Sequence, residues 1–324
     1  MVRAIARRVA TGAVTLLLVT AIVFLLAAMS SESALPGESV DEASRLTPEQ
    51  RAEIRALYHL DRPPHVRYGM WIADLARGDL GRSFHDRRPV AEKIAERLPA
   101  TLTLNAAALL LMIVVAVPLG ALAASRPGSL LDRTAGAATY ALYSIPVFWA
   151  ALLLQLALAI RLGWLPLYGS QAAGIEAAGI AARLQDRLAH LVLPTVCLAY
   201  PGFAYLSRFV RGILVDNAAA ESARAARARG LAPGAVVIRH GFRQAAVPLL
   251  TLAGFLLPRL VGGSVIVETI FAIPGLGDLF VDAMFQRDIP VVMGLTLLSG
   301  AATLGGIVAA DLLYAAADPR VRRA

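Results

Sequence analysis

Charged residues are scarce in this sequence. Asp, Glu, Lys and Arg make up only 17% of the 324 residues, whereas 57% are hydrophobic and the mean hydropathy is +0.63. A soluble domain usually has about a quarter of its residues charged. This deficit therefore argues against a soluble globular protein and for a protein that faces lipid.

Cysteine and several catalytic patterns are also missing. The single cysteine, Cys197, excludes an intramolecular disulfide and a CxxC metal or redox motif. The sequence has no Gly-x4-Gly-Lys-Ser/Thr phosphate loop and no Gly-x-Ser-x-Gly or His-Glu-x-x-His pattern. We therefore expect no cofactor, no metal, no ATP binding by this chain itself and no enzymatic activity.

Long apolar runs are what the sequence has instead. Six stretches contain almost no ionisable side chains, namely 9–31, 98–125, 134–160, 188–207, 244–267 and 289–310. A helix needs about 20 apolar residues to cross the hydrocarbon core. Five stretches reach that length without an Asp, Glu, Lys or Arg, and Arg259 interrupts 244–267. Because lipid cannot satisfy backbone polar groups, we predict an all-α integral membrane protein with six transmembrane helices.

The arginines predict the topology. With the N-terminus inside, the inner segments hold 15 Arg and only four acidic residues. This bias is the one expected of the cytoplasmic side of a membrane protein, so the net charge of +8 indicates no nucleic-acid partner. If 244–267 did not cross, the arginines of the tail 318–324 would lie outside; we therefore predict that it crosses and that both termini are cytoplasmic.

The predicted outer loop, 30–97, is long and reads as folded. Thr47-Pro48-Glu49-Gln50 has the pattern of a helix start, and that helix would run to about Leu60. A second amphipathic stretch, Val66 to Leu75, carries Tyr68 and Trp71, residue types that favour the membrane–water boundary.

The predicted inner loop, 208–243, is the most basic segment. An alanine-rich helix from Ala218 would end at Gly230, and a second would begin near Ala235. Two interpretations remain open for its arginines: docking into a groove on a soluble partner, or attraction to anionic lipid headgroups.

Ordered motifs along the chain carry a family resemblance. Arg224 to Leu231 followed by Arg239 to Pro248 resembles the EAA loop of binding-protein-dependent ABC importer permeases, in particular the dipeptide/oligopeptide/nickel branch. The further matches, in chain order, are Arg77–Phe84, Arg88–Val90, Arg97–Leu102, Ser144–Phe148, Leu162–Pro166, Gly262–Phe271, Pro274–Gly277, Asp311–Tyr314 and Asp318–Arg320.

The resemblance implies an architecture and partners. It implies a type I ABC importer permease fold with units 1–31 (tail and first transmembrane helix), 32–97 (extracytoplasmic loop), 98–317 (permease domain) and 318–324 (cytoplasmic tail). It also implies a bacterial inner membrane location, a second homologous permease, two ATP-binding subunits or domains and an extracytoplasmic binding protein. The residues it implies for coupling to the ATPase are Glu221, Arg224, Ala225, Ala226, Arg227, Gly230, Arg239 and Arg243.

Candidate pathway residues are fewer. Glu268, Arg259 and Ser144 lie in or beside the predicted spans, where polar groups are expensive. Glu268 either contacts a peptide's amino end or braces the turn Pro274-Gly-Leu-Gly277, and the sequence leaves both open. Arg259 stands where the family usually has a small or aliphatic residue.

The resemblance favours a peptide substrate, with nickel or another small solute as the alternative. A transporter or channel that works alone is a second alternative, although many such folds have inverted repeats and none is visible here. A membrane enzyme is a third, against which the missing catalytic patterns argue.

Overall fold

A computed structural model describes residues 2–30, 47, 49, 56, 59–219, 228–231, 260–262 and 264–317. The predicted helix that starts at Thr47 lies largely outside the described residues. So do most of the predicted inner loop and most of the fifth predicted span, 244–267.

The described residues form helices joined by short connections, and no strand occurs among them. The helices, in chain order, are α1 (Val2–Ser30), α2 (Pro64–Leu75), α3 (Val90–Ser125), α4 (Leu130–Tyr143), α5 (Val147–Leu154, continuing as the π-helix Gln155–Arg161), the 3-10 turn Ile175–Ala177, α6 (Ile180–Ala219), α7 (Val265–Ile270), α8 (Leu276–Phe285) and α9 (Ile289–Ala317). The amphipathic stretch predicted at Val66 to Leu75 is confirmed as α2.

Four described helices are long and apolar enough to cross a membrane. They are Ala6–Met29, Val90–Ser125, Ile180–Asn217 and Ile289–Leu312. The predicted spans 9–31, 98–125, 188–207 and 289–310 are thus confirmed as long apolar helices.

The third predicted span, 134–160, is not one straight helix. Helix α4 and the α5 segment Val147–Arg161 pass the same test only as a pair, and they meet at an angle of 93°. Pro146 explains the break, because proline lacks an N–H and disfavours helical geometry at the residue before it. The Tyr200 hydroxyl of α6 donates to the Ile145 carbonyl at 2.6 Å and so satisfies an acceptor at the bend.

Small residues bring α3 and α6 into close contact. A Cβ atom on Gly120 would lie 2.4 Å from the Ser207 carbonyl oxygen, and one on Gly202 would lie 2.1 Å from the sulfur of Met112. Neither approach leaves room for a side chain, which is how tightly packed membrane helices are usually built.

Helices α1 and α9 pack together in the same way. A Cβ on Gly12 would lie 2.2 Å from a Leu304 methyl carbon, and one on Gly300 would lie 2.2 Å from a Leu16 methyl carbon. An ion pair between Arg8 and Asp311 joins one end of the two helices.

The segment 59–89 is attached to the middle of α1 and to the start of α9. The Tyr68 hydroxyl of α2 donates to the Leu17 carbonyl of α1 at 2.8 Å. The buried Asp288 carboxylate, just before α9, accepts hydrogen bonds from the Ser83 hydroxyl and, at 3.0 Å, from the Phe84 N–H. Its location outside the membrane stays a prediction.

Candidate functional site

Glu268 is a fully buried carboxylate among the described apolar helices. It lies on α7 with a relative exposure of 0%. A carboxylate in such surroundings is costly unless hydrogen-bond donors surround it, so its contacts decide what it can do.

Both carboxylate oxygens of Glu268 are satisfied. Oε1 accepts hydrogen bonds from the Thr101 hydroxyl and from the Ser264 N–H, each at 3.1 Å. Oε2 accepts from the Gly277 N–H at 2.6 Å and from the Asp278 N–H at 3.2 Å. The last two groups belong to the first turn of α8, where N–H groups have no partner within the helix and a negative charge is favourable. Glu268 therefore caps α8.

The glycine turn, residues 274–277, is shaped around this carboxylate. A Cβ on Gly275 would lie 2.4 Å from Glu268 Oε2, and one on Gly277 would lie 2.7 Å from the Val265 nitrogen. The Thr101 hydroxyl, which donates to Glu268, also accepts from the Leu276 N–H at 2.8 Å. Helices α3, α7 and α8 are thus joined by one hydrogen-bonded cluster, which we call the Glu268 cluster (Glu268, Thr101, Ser264 and the glycine turn).

These contacts are those of the bracing alternative for Glu268. In this arrangement the carboxylate has no exposed surface to offer a peptide. A direct role of Glu268 in the substrate pathway stays a prediction.

The other predicted pathway residues differ in outcome. Ser144 is exposed at the bend between α4 and α5, where its hydroxyl donates to the Ala141 carbonyl at 2.7 Å. Its role in the pathway stays a prediction. Arg259 lies outside the described residues.

Among the predicted coupling residues, Gly230 is the one that the structure describes. It has a φ of 84°, and a Cβ placed on it would meet no atom among the described residues within 4 Å. This left-handed backbone favours glycine and fits the predicted end of a helix. Glu221, Arg224, Ala225, Ala226, Arg227, Arg239 and Arg243 lie outside the described residues.

An ion pair links α4 to α6, the helix that leads toward Gly230. No pattern in the sequence predicts it. Arg211 donates from Nε and Nη2 to the two carboxylate oxygens of Asp132 at 2.5 and 2.6 Å. Asp132 also accepts from the Gly128 N–H at 2.9 Å. In the sequence, Asp132 and Arg211 contributed only to the charge balance of the predicted inner side. They are 79 positions apart, so no local pattern pairs them.

A cavity of about 360 Å³ lies between the segment 59–89 and the adjoining ends of α1 and α9. The Arg67 guanidinium lies 5.5 Å from the centre of the Phe24 ring, and burial lowers the pKa of Arg67 from its ordinary value. The cavity also has Trp71, Arg82 and Met293 in its wall. Apolar rings and guanidinium groups thus share one surface.

Comparisons with known proteins agree with the motifs along the chain. A family model described as the binding-protein-dependent transport system inner membrane component matches residues 116–323. A second model, described as the N-terminal part of binding-protein-dependent transport system membrane components, matches residues 1–105.

Individual relatives match over most of their length. The oligopeptide transport system permease protein AppB of Bacillus subtilis is 37% identical over 278 residues, 86% of each chain. A putative peptide transport system permease protein of Brucella abortus is 37% identical over 330 residues, and the di/tripeptide transport system permease protein DppB of Pseudomonas aeruginosa is 33% identical over 339 residues, each covering 99% of both chains.

A solved structure is similar at a lower level. The MetNI methionine ABC transporter in its inward-facing conformations matches 71% of this chain and 95% of that chain, with a TM-score of 0.47 and 20% identity. A likeness this distant adds nothing to the relationship that the sequences already establish.

Proposed function

Because this chain belongs to the family of binding-protein-dependent transport system inner membrane components, we propose that it forms one permease half of an ATP-driven importer for peptides. It is a multi-pass membrane protein with a permease role, like its relatives. The proposal adds the substrate, the source of energy and the partners: a second permease, two ATP-binding subunits or domains, and an extracytoplasmic binding protein.

The proposed peptide substrate rests on the similarity of the whole chain to peptide permeases. The relatives named above are described as permeases for oligopeptides and for di- and tripeptides, and two of the three align with this chain over 99% of both lengths. Nickel or another small solute remains the second candidate, because the motifs in the sequence belong to a branch that also contains nickel permeases.

Movement of the ATPase subunits would enter the membrane through the inner end of α6. Closing of the ATPase dimer would push on the loop around Ala225 to Gly230, and α6 would carry that movement into the membrane. The Arg211–Asp132 ion pair joins α6 to α4, so the bent α4–α5 pair would move with α6. The left-handed Gly230 would set the angle at which the loop leaves its helix.

The binding protein would dock on the segment 59–89, on the other side of the membrane from the coupling loop. The segment 59–89 is attached to α1 through Tyr68 and to α9 through Asp288. Docking on this segment would therefore reach two membrane-crossing helices at once. The Glu268 cluster would keep α7 and α8 in one rigid unit while α6 moves.

Uptake by a deletion strain tests the proposal. We expect loss of uptake of radiolabelled dialanine, trialanine or pentaalanine, with recovery when the gene is returned. We also expect uptake to stop when ATP is depleted with arsenate. Loss of ⁶³Ni²⁺ uptake with normal peptide uptake would replace the peptide by the metal. Transport by the purified chain alone in liposomes without ATP would contradict the importer.

A variant of the coupling loop gives a second test. Gly230→Val should abolish uptake without changing the amount of chain in the membrane, because a β-branched residue does not tolerate a φ of 84°. Gly179→Val, at an open position before α6, is the matched control. Normal uptake by the Gly230→Val importer would contradict the coupling role.

A further inference from the structure

A cleft between α4 and α6 has an unusual wall for a membrane helix pair. It encloses about 410 Å³ and is lined by Tyr140, Tyr143, Ala204, Tyr205, Arg208 and Phe209, which together we call the aromatic cleft. Tyr143 and Tyr205 are each 60% exposed. Tyr205 and Phe209 stack with their ring centres 6.2 Å apart.

The exposed surfaces in the middle of α1 and α3 are aliphatic. On α1 they are formed by residues such as Leu18 and Leu26, and on α3 by Leu110 and Val114. Such side chains suit contact with lipid tails, whereas tyrosine hydroxyls and a guanidinium need hydrogen-bond partners or water. The aromatic cleft therefore faces something other than lipid tails.

The Arg208 guanidinium lies across the helix pair against α4. Helices α4 and α6 run antiparallel, as the pairs Asp132–Arg211 and Ile145–Tyr200 show. Its Nη1 atom lies 3.0 Å from where a Cβ of Gly136 would be, and its Cζ lies 4.8 Å from the centre of the Tyr140 ring. Gly136 and Tyr140 follow Asp132 on α4 by one and two turns. The Arg208 guanidinium therefore lies beyond the Arg211–Asp132 ion pair, toward the bend of α4.

Contact with α4 distinguishes Arg208 from an arginine that extends to lipid headgroups. An arginine near a helix end normally extends toward the interface to keep its charge in water. Asp132 is close enough to interact electrostatically with Arg208, but its two carboxylate oxygens accept their side-chain hydrogen bonds from Arg211. Among the described residues no carboxylate lies within 4.0 Å of the Arg208 guanidinium, which has the face of a tyrosine ring as its contact.

We propose that the aromatic cleft is a substrate-binding surface of the transport pathway, in which Arg208 binds the terminal carboxylate of a peptide and the tyrosine rings contact its backbone and side chains. A guanidinium matches a carboxylate through two parallel hydrogen bonds. Aromatic faces accept many side chains without selecting one, which suits a carrier of varied peptides. This inference rests on the proposed function and identifies which end of the peptide the permease recognises.

Uptake by the complete importer, with its binding protein, tests the role of Arg208. We would compare tritiated trialanine with its C-terminal amide in the wild type and in the Arg208→Gln variant. Because the same binding protein delivers both, a difference between variants reports on this chain. Arg208→Gln should lower trialanine uptake about ten-fold or more and change uptake of the amide by less than about two-fold.

Two further variants serve as controls for charge and fold. Arg133→Gln removes the same charge from an exposed position on α4 outside the aromatic cleft, and it should leave both uptakes unchanged. Arg208→Lys keeps the positive charge and should retain the preference for the free carboxylate. Equal losses of trialanine and amide uptake in Arg208→Gln would mean a structural role and would overturn the inference.

Photocrosslinking tests the surface directly in the same importer. With p-benzoylphenylalanine in place of Tyr205, light should attach labelled trialanine to this chain, and unlabelled trialanine should compete. The same group in place of Leu110, which is 63% exposed on the aliphatic face, should attach none. Attachment at Tyr205 only to lipid or only to another protein chain would overturn the inference. If the wild type imports neither trialanine nor its amide, the proposed function itself fails.

Discussion

Glu268 and Arg208 are both ionisable residues within apolar helices, and the structure treats them in opposite ways. Glu268 is fully buried and accepts four hydrogen bonds, two of them from the first turn of α8. Arg208 is exposed in a cleft, and a tyrosine ring contacts its guanidinium. A charged side chain among these apolar helices is thus either satisfied by the fold or left exposed.

The surroundings of the two residues show the same contrast. Backbone N–H groups and glycines enclose Glu268, so a change there disturbs three helices. Side chains line the aromatic cleft, and most of them retain exposed surface. We therefore expect changes in the Glu268 cluster to reduce stability and changes in the aromatic cleft to reduce transport.

Glu268→Ala should have the largest effect on stability. It leaves the Thr101 hydroxyl and three backbone N–H groups without their acceptor, and each buried donor left unsatisfied costs about 1–3 kcal/mol. Thermal unfolding in detergent would measure this. Glu92→Gln, which removes an exposed carboxylate from a surface ion pair, is the control and should change stability by less than about 1 kcal/mol. A Glu268→Ala protein as stable as the wild type would remove the bracing role.

Arg211→Gln should come next and can be compared with Arg208→Gln one turn away. Removing Arg211 leaves the buried Asp132 carboxylate without its two guanidinium hydrogen bonds, and a hydrogen bond to a charged group contributes about 1.5–3 kcal/mol. Unfolding midpoints of the two variants would be measured side by side. If Arg208→Gln were the more destabilising, Arg208 would have a structural role.

Gly277→Ala should destabilise by about 1–3 kcal/mol, because the added methyl group would overlap the Val265 backbone and approach Glu268. Gly212→Ala provides the opposite sign. It lies inside α6, where an added Cβ would meet no atom of the described residues within 4 Å, so the alanine should stabilise the helix by up to about 1 kcal/mol. Equal unfolding midpoints for the two variants would argue against the tight glycine turn.

Tyr200→Phe should have the smallest effect in this series. Its hydroxyl satisfies the Ile145 carbonyl at the bend, and such a bond contributes about 0.5–1.5 kcal/mol. Tyr143→Phe removes a hydroxyl from the aromatic cleft and should leave stability unchanged. Denaturation of both proteins would show whether bracing and cleft tyrosines differ as the structure indicates.

The sequence predicted the long apolar helices well because their length and lack of charge decide them locally. The break in the third span was missed, although the Ile145-Pro146 pair carries the signal, since proline restricts the residue before it. Glu268 was predicted to be a pathway residue or a brace, and the structure shows it fully buried. Its hydroxyl partner Thr101 lies 167 positions earlier, and no local pattern joins the two.

Arg208 shows the opposite limit of sequence reasoning. In the sequence it stands at the start of the basic inner loop and adds to the inner positive charge. The position of its guanidinium depends on two residues of α4: Gly136 leaves space for it, and Tyr140 contacts it with the face of its ring. The packing of α4 against α6 determines the position of this guanidinium, and hydropathy carries no information about that packing.

The most direct test of this account measures uptake and stability on the same preparation of the complete importer. Arg208→Gln and Glu268→Gln each neutralise one charge, and trialanine uptake would be divided by the amount of folded importer. We expect Arg208→Gln to lower uptake per folded importer and to leave the unfolding midpoint unchanged. We expect Glu268→Gln to lower the unfolding midpoint and to leave uptake per folded importer nearly normal. The reverse pattern would contradict this account.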